Sequence, residues 1–213
     1  MEKIILPGII AKSKEELRKK IERVKRFTSW VHLDVVDGEF AKNHSLDFDF
    51  TLPQQDFQTE AHLMVKNPEL WITKHGKKIS ILIVHFESVS SLPLIIRFMQ
   101  EKQCKIGIAI EPETSVDVLK KYLELIDQVT IMTVHPGFYG SPFIPEQLEK
   151  VKTLRKLKPS LDIEVDGGMN PETIKLALKA GANKFVSGSY LLEDSEDVKT
   201  AFNALRESIN ETY

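Results

Sequence analysis

Cysteine is nearly absent from this 213-residue chain, in which Cys104 is the only cysteine. A disulfide within the chain is therefore impossible, and a zinc site built from several cysteine thiolates is excluded as well. A single thiol fits a protein of a reducing compartment, where disulfides are rare. The cysteine count thus favours a cytoplasmic location.

The sequence also lacks a strong charge bias and a long apolar run. The formal net charge is −2 and the sequence pI is about 6.3, so there is no basic footprint for nucleic acid or for an anionic membrane. No stretch reaches the length of a transmembrane helix, and Pro7 and Gly8 interrupt the apolar segment 4–11, unlike a signal peptide. We expect neither a nucleic-acid nor a membrane partner.

The chain does contain an alternation of short apolar runs and longer amphipathic segments. Most of the runs are rich in β-branched residues, as in parallel strands that are buried on both faces. Eight such runs occur, at 4–6, 30–36, 61–65, 81–84, 106–110, 129–134, 163–165 and 185–187. Eight strands with intervening helices predict an α/β fold, a single closed (β/α)8 TIM barrel over residues 1–213.

Helix start signals agree with this interpretation. Ser13 and Glu16 resemble a capping box, and Ser115 is a candidate N-cap ahead of segment 116–125. The alternative fold is an open, doubly wound sheet, which normally carries a glycine fingerprint after its first strand. Residues 7–10 read Pro-Gly-Ile-Ile instead, so the closed barrel is the better prediction.

Polar residues inside the apolar runs lie near the predicted strand ends, where barrel enzymes place their catalytic groups. His32 and Asp34 alternate on the second strand and therefore point the same way, into the barrel. His62 lies on the third strand and Asp166 ends the seventh. Each residue taken singly is explained by a hydrogen-bonded core position. Together, two imidazoles and two carboxylates suit zinc, iron(II), manganese or cobalt.

Glycines follow the last three predicted strands. They occur in segment 136–141, at 167–168 and in segment 187–189. Bare backbone amides at this corner of a barrel commonly bind phosphate without lysine side chains. The alternative is that each glycine only makes a tight turn. Their joint placement favours a phosphate site.

Four blocks of the sequence resemble motifs of the ribulose-phosphate 3-epimerase family. Residues 32–38, HLDVVDG, are similar to its HxDxMDG signature, and residues 62–65 match its HLMV segment. Residues 132–138, MTVHPGF, match MTVxPGF, and residues 163–168 match IEVDGG. The blocks occur in the family's order and span nearly the whole chain.

The resemblance implies a barrel of the ribulose-phosphate-binding type and assigns its site. His32, Asp34, His62 and Asp166 would bind one divalent metal ion per chain, with zinc as the first choice and iron, manganese or cobalt as alternatives. Asp34 and Asp166 would also be the catalytic acid/base pair. The implied substrate-binding residues are Gly8, Met64, Met132, Gly137, Gly140, Ser141, Gly168, Gly188 and Ser189. For the two methionines, core packing is an equal alternative.

The implied activity is epimerisation of D-ribulose 5-phosphate and D-xylulose 5-phosphate at C3. Such a reaction removes a carbon-bound proton from one face of the substrate and returns one to the other, which two carboxylates can do. The alternatives are a six-carbon ketose phosphate such as D-allulose 6-phosphate, and a barrel that binds metal and phosphate without catalysis. A related decarboxylase would carry Asp-x-Lys-x-x-Asp, and residues 32–37 contain no lysine. Family members associate, so a homo-oligomer is expected.

The sequence departs from the family pattern at positions close to the substrate. Gly8 stands where the family carries a serine, Val36 replaces a methionine, and Tyr139 adds a ring to the phosphate loop. A serine hydroxyl at position 8 would contact substrate oxygens, so Gly8→Ser is expected to raise kcat/KM on D-ribulose 5-phosphate. His85 and Glu87 resemble a family HxE pattern, for which a structural hydrogen-bond network is an equal explanation.

Overall fold

Eight parallel strands form a closed barrel in the computed structural model, which describes residues 1–46, 48–52, 57–136, 140–195 and 197–212. The barrel strands are β1 (Ile4–Ile9), β2 (Trp30–Asp37), β4 (Gln58–Met64), β5 (Ile81–His85), β6 (Lys105–Ile110), β7 (Gln128–Met132), β8 (Asp162–Asp166) and β9 (Lys184–Ser187). Pairing of β1 with both β2 and β9 closes the ring. The predicted fold class is confirmed.

A two-residue strand, β3 (His44–Ser45), pairs antiparallel with the end of β2. It escaped the sequence analysis because two residues are too short for a periodic signal. Its Ser45 hydroxyl accepts a hydrogen bond from the amide of Ala11 at 3.0 Å. The short strand thereby ties the loop after β2 to the loop after β1, beside the mouth of the barrel.

Helices surround the barrel and cover its outer face. They are α1 (Lys14–Val24), α2 (Pro68–His75), α3 (Leu92–Gln100), α4 (Leu148–Leu157), α5 (Thr173–Ala180), α6 (Ser189–Leu192) and α7 (Val198–Asn210). The described part of the chain also contains four 3₁₀ segments, at Gly76–Lys78, Phe86–Ser88, Val116–Leu125 and Pro145–Gln147. Within the described residues, no helix combines the length and apolarity needed to span a bilayer.

The predicted helix starts are present in altered form. The hydroxyl of Ser13 accepts from the amide of Glu16 at 3.2 Å, while the Glu16 carboxylate accepts from Lys12 instead of the cap residue's own amide. Ser115 caps its segment by accepting from the amide of Asp117, but that segment is 3₁₀. Cap residues therefore marked the starts correctly and did not specify the helix type.

Side-chain alternation on each strand separates two environments. On β2, Val31, Leu33 and Val35 belong to the hydrophobic core between barrel and helices, whereas His32 and Asp34 are also buried but face inward. This alternation follows from the two-residue period of a strand. The inner side of the barrel therefore contains most of the polar groups that matter for function.

Candidate metal and active site

Three barrel strands bring the four predicted metal ligands together. β2 provides His32 and Asp34, β4 provides His62, and β8 provides Asp166. Asp34 and His62 are register partners on neighbouring strands. All four residues are buried, and one ligand atom from each lies within 4.8 Å of the others. The structure therefore brings one ligand atom from each of the four side chains together in one cluster.

The distances between these ligand atoms suit a small cation with tetrahedral coordination. His32 Nε2 lies 3.3 Å from Asp34 Oδ1 and 3.3 Å from His62 Nδ1, and 3.6 Å from Asp166 Oδ2. His62 Nδ1 lies 3.0 Å from Asp166 Oδ2 and 3.6 Å from Asp34 Oδ1. A tetrahedral ion with bonds of about 2.0–2.1 Å separates its ligand atoms by about 3.3–3.4 Å. The four residues could hold a metal ion with little rearrangement.

The electrostatics of the cluster also call for a cation. Burial raises the pKa of the Asp34 carboxyl, but His32 and His62 outweigh burial and set that pKa at about 2. Burial lowers the pKa of His32, yet Asp34, Glu60 and Asp166 raise it well above its usual range. Without an ion, a proton on His32 therefore offsets part of the negative charge in the cluster. A divalent ion would displace that proton, since metal ligation requires the neutral imidazole.

The imidazole of His62 is supported on its far side by His85 and Glu87. His62 Nε2 lies 2.8 Å from His85 Nε2, and His85 Nδ1 lies 3.4 Å from Glu87 Oε2. If His62 Nδ1 binds an ion, the ring proton of His62 lies on Nε2, which donates a hydrogen bond to His85 Nε2. His85 Nδ1 then carries its own proton toward Glu87. Burial lowers the pKa of His85 to about 4, so a neutral imidazole in this tautomer is the expected state.

The imidazole of His32 is supported by a different residue, Glu60. His32 Nδ1 lies 2.7 Å from Glu60 Oε1, and both side chains are fully buried. Sequence analysis missed Glu60, because the apolar run was read as starting at residue 61. The alternation of Glu60 with His62 on β4 was the signal that could have found it. Ligand histidines usually donate their second N–H to such a partner.

The remaining predicted site residues meet at one pocket at the carboxyl ends of the strands. Its lining includes Asp34 and Asp166 together with eight predicted substrate-binding residues, Gly8, Met64, Met132, Gly140, Ser141, Gly168, Gly188 and Ser189. The ninth, Gly137, and the departure at Tyr139 lie outside the described residues. Both methionines are buried and line the pocket, so core packing and contact with a ligand are compatible.

The backbone at Gly167 and Gly168 requires glycine. Their φ angles are +116° and +66°, in the region that side chains disfavour. A Cβ at Gly167 would lie within 2.4 Å of a methyl group of Val134, and one at Gly168 would lie 3.0 Å from Cβ of Phe143. These glycines therefore make a tight turn, and their bare backbone also lines the pocket.

Gly8 is more crowded than the sequence suggested. A Cβ at this position would lie 2.9 Å from Cγ1 of Val186 and 3.6 Å from Asp34 Oδ2. A serine side chain would thus enter the pocket beside the Asp34 carboxylate only if Val186 moved. The other departure, Val36, packs with Phe40, Ala41 and Met64 in a small cluster of its own.

A family model described as "Ribulose-phosphate 3 epimerase family" matches residues 4–192. Curated relatives named ribulose-phosphate 3-epimerase include one from Schizosaccharomyces pombe, 33% identical with 96% of this chain and 93% of the relative covered. One from Bacillus subtilis is 34% identical, with 96% and 98% covered. A cytoplasmic isoform from Oryza sativa is 34% identical, with 96% and 93% covered.

Solved structures with low sequence identity share the fold. KGPDC from Streptococcus mutans has a TM-score of 0.75 at 14% identity, covering 98% of each chain. The 3-keto-L-gulonate-6-phosphate decarboxylase from Vibrio cholerae has a TM-score of 0.71 at 13% identity, covering all of both chains. At such identities the likeness concerns the barrel alone.

Proposed function

The chain belongs to the ribulose-phosphate 3-epimerase family, and from that premise we propose that it interconverts D-ribulose 5-phosphate and D-xylulose 5-phosphate at C3. One observation carries the proposal. The carboxylates of Asp34 and Asp166 line the same pocket as the glycine-rich corner and also belong to the four-ligand cluster. The arrangement provides two proton-transfer groups and a phosphate site within one small cavity.

The proton-transfer roles belong to Asp34 and Asp166. They lie on β2 and β8, which are separated by β1 and β9 in the barrel, so they approach a bound substrate from different directions. One carboxylate removes the C3 proton as base, and the other returns a proton to the opposite face as acid. Reversal of the reaction exchanges the two roles. The low pKa of Asp34 fits a group that is ionised before substrate binds.

His32, Asp34, His62 and Asp166 would hold the divalent ion, and we propose zinc. The near-tetrahedral spacing of two nitrogen and two oxygen ligands supports that choice. When bound, the ion supplies Lewis-acid stabilisation of the negative charge that develops on the substrate oxygens. Glu60 and the His85–Glu87 pair hold the two imidazoles in the required tautomers.

The phosphate would bind to backbone amides of the glycine-rich corner, at Gly140, Gly168, Gly188 and Ser189. No lysine or arginine is among the described residues that line the pocket. Amide dipoles can replace such side chains, as they do in other barrels. Predicted contacts of Gly137 would complete this corner. A sugar phosphate held there by one end would present its C3, beside the ketone, to the two carboxylates.

Incubation of the protein with ketose phosphates in D2O tests the activity. We expect deuterium at C3 of D-ribulose 5-phosphate and D-xylulose 5-phosphate, with interconversion of the two. Deuterium at another carbon, or no incorporation with either sugar, would contradict the proposal. The same experiment with D-allulose 6-phosphate tests the second candidate function, epimerisation of a six-carbon ketose phosphate.

The proposal also covers the state of the protein in the cell. We propose a single-domain, homo-oligomeric protein of the cytoplasm. The single cysteine and the name of the rice relative support the location. Light scattering after size-exclusion chromatography tests the oligomeric state, and a monomeric mass would remove that part of the proposal.

A further inference from the structure

A lysine lies inside the barrel, directly below the candidate metal site. Lys184 begins β9 and is 1% exposed, although a buried ammonium group is costly unless it is paired and hydrogen-bonded. The layer around it contains Glu60, Gln128 and Glu164, each fully buried. The mechanism described above uses none of Lys184, Gln128 or Glu164. Such a costly group in this place requires a physical reason.

The ammonium group of Lys184 is fully engaged in this layer. Its Nζ lies 2.6 Å from Glu60 Oε2 and 2.5 Å from Gln128 Oε1, and 4.7 Å from the centre of the Trp30 ring. Glu164 Oε2 is more distant, at 3.9 Å. The side chain therefore forms two short hydrogen bonds and a cation–π contact, which together fix its position.

Lys184 also fills the place that a second cation would take. His32, Glu60 and Glu164 form another group whose ligand atoms converge. The Lys184 ammonium already lies against its two carboxylates, so this second group holds a cation that the protein itself supplies. Of these two groups, the four-ligand cluster described above is the one left for an ion.

The two oxygens of Glu60 link Lys184 to the metal site. Oε2 pairs with Lys184, and Oε1 lies 2.7 Å from Nδ1 of His32. The other ring nitrogen of His32, Nε2, faces Asp34 and His62 in the four-ligand cluster. A carboxylate anchored at one oxygen cannot rotate away from the ring that it contacts with the other. The contacts thus run from Lys184 through Glu60 to His32, which would bind the ion.

We propose that Lys184 is a positioning residue, whose ion pair with Glu60 locks the orientation of His32 as a ligand of the divalent ion. This inference rests on the proposed function, which supplies the ion. Lys184 touches neither ion nor substrate and acts through Glu60. Its loss should weaken metal binding while the four ligands remain in place.

Zinc affinity measured by competition with a chelating dye tests the inference without reference to turnover. We expect Lys184→Met to weaken Zn²⁺ binding by about tenfold or more, the range known for partners of ligand histidines. The visible spectrum of the Co²⁺-loaded protein should change as well, because a loosened imidazole alters the ligand geometry. A substitution that only destabilised the barrel would not change the spectrum of the folded, loaded protein.

A double variant and a matched control separate positioning from folding. Adding Glu60→Gln to Lys184→Met removes both charges and leaves an amide oxygen that can accept from His32 Nδ1, so Zn²⁺ affinity should return to within about threefold of the native protein. Glu164→Gln is the control, since Glu164 lies in the same layer but is 3.7 Å from His32 Nδ1. Its amide can still accept from the Thr130 hydroxyl, which lies 2.9 Å from Glu164 Oε1, and Zn²⁺ affinity should stay within about twofold.

Two results would overturn the inference. One is Zn²⁺ affinity of Lys184→Met within about twofold of native, and the other is a double variant as weak as Lys184→Met. If the native protein binds Zn²⁺ and either result is found, the proposed function stands and Lys184 alone is misassigned. If the native protein binds no divalent ion, the metal part of the proposed function fails, and the role of Lys184 fails with it.

Discussion

At the scale of single residues, the same two carboxylates serve both proposed roles. Asp34 and Asp166 each direct one oxygen toward the other members of the four-ligand cluster, and both also line the pocket. A substitution at either position therefore affects proton transfer and metal binding together. Any test of catalysis at these positions has to measure both quantities.

We predict that Asp34→Asn and Asp166→Asn each lower kcat by at least about a hundredfold, because an amide cannot exchange a proton as the carboxylate does. Metal content measured on the same samples separates this loss from loss of the ion. Asp162→Asn is a matched control, since it changes the opposite end of β8 and should leave kcat within about twofold. A metal-replete Asp166→Asn protein with near-normal epimerisation would remove Asp166 from the acid/base pair.

The structure changes the expectation for Gly8→Ser. Alone, the substitution places Cβ 2.9 Å from Cγ1 of Val186, so we now expect no gain in kcat/KM and a lower melting temperature. Combined with Val186→Ala, the serine has room to donate a hydrogen bond to a substrate oxygen. Such a donor contributes up to a few kcal/mol, so we expect at least about a tenfold rise in kcat/KM on D-ribulose 5-phosphate.

Kinetics on two sugars decide between interpretations of Gly8. Val186→Ala alone is the control for the space that is created. If the double variant gains activity only on D-allulose 6-phosphate, position 8 belongs to a different substrate geometry. The six-carbon activity would then be the better description of the native protein.

At the scale of elements, strand register determines which side chains meet. Glu60, His62 and Met64 alternate on β4 and all face inward, so one strand supplies a supporting group, a ligand and a pocket wall. Slipping the register by one residue would turn all three toward the helices. Each predicted run coincides with a strand, but some ends were misplaced. The run on β4 was begun too late because Glu60 is polar, and the run on β1 was ended too early at Pro7 and Gly8.

Helix α1 allows a test of an element without touching the site. The Ser13 hydroxyl caps the amide of Glu16, and Ser13→Ala should destabilise the protein by about 1 kcal/mol. For a chain of this size that lowers the melting temperature by about 2–4 °C. Ser13→Asn retains a capping acceptor and should have little effect, with kcat unchanged in both. An unchanged melting temperature in Ser13→Ala would show that the cap does not contribute.

At the scale of the whole molecule, the barrel does not depend on the ion for its closure. Pairing of β1 with β2 and β9 closes the ring, and the hydrophobic core lies outside it, against the helices. The raised pKa of His32 means that its imidazole keeps a proton beside the Asp34 carboxylate when no ion is bound. The ion-free protein should therefore remain folded.

We predict that removal of the ion with a chelator abolishes turnover and preserves the fold. Lewis-acid stabilisation of several kcal/mol corresponds to at least about a hundredfold in rate. Circular dichroism should report an intact barrel, and added Zn²⁺ should restore turnover. Full activity in protein shown to be metal-free would refute the proposed mechanism.

The sequence by itself determined the alternation of strands and helices and the identity of the four candidate ligands. Apolar runs and two-residue periodicity are local properties, so they can be identified from the sequence alone. Only the tertiary structure placed Lys184 against Glu60, 124 residues away, His85 behind His62, and Val186 against the space at Gly8. These contacts join different strands inside a closed ring, and they depend on barrel closure and on the register of each strand pair, which no local pattern encodes.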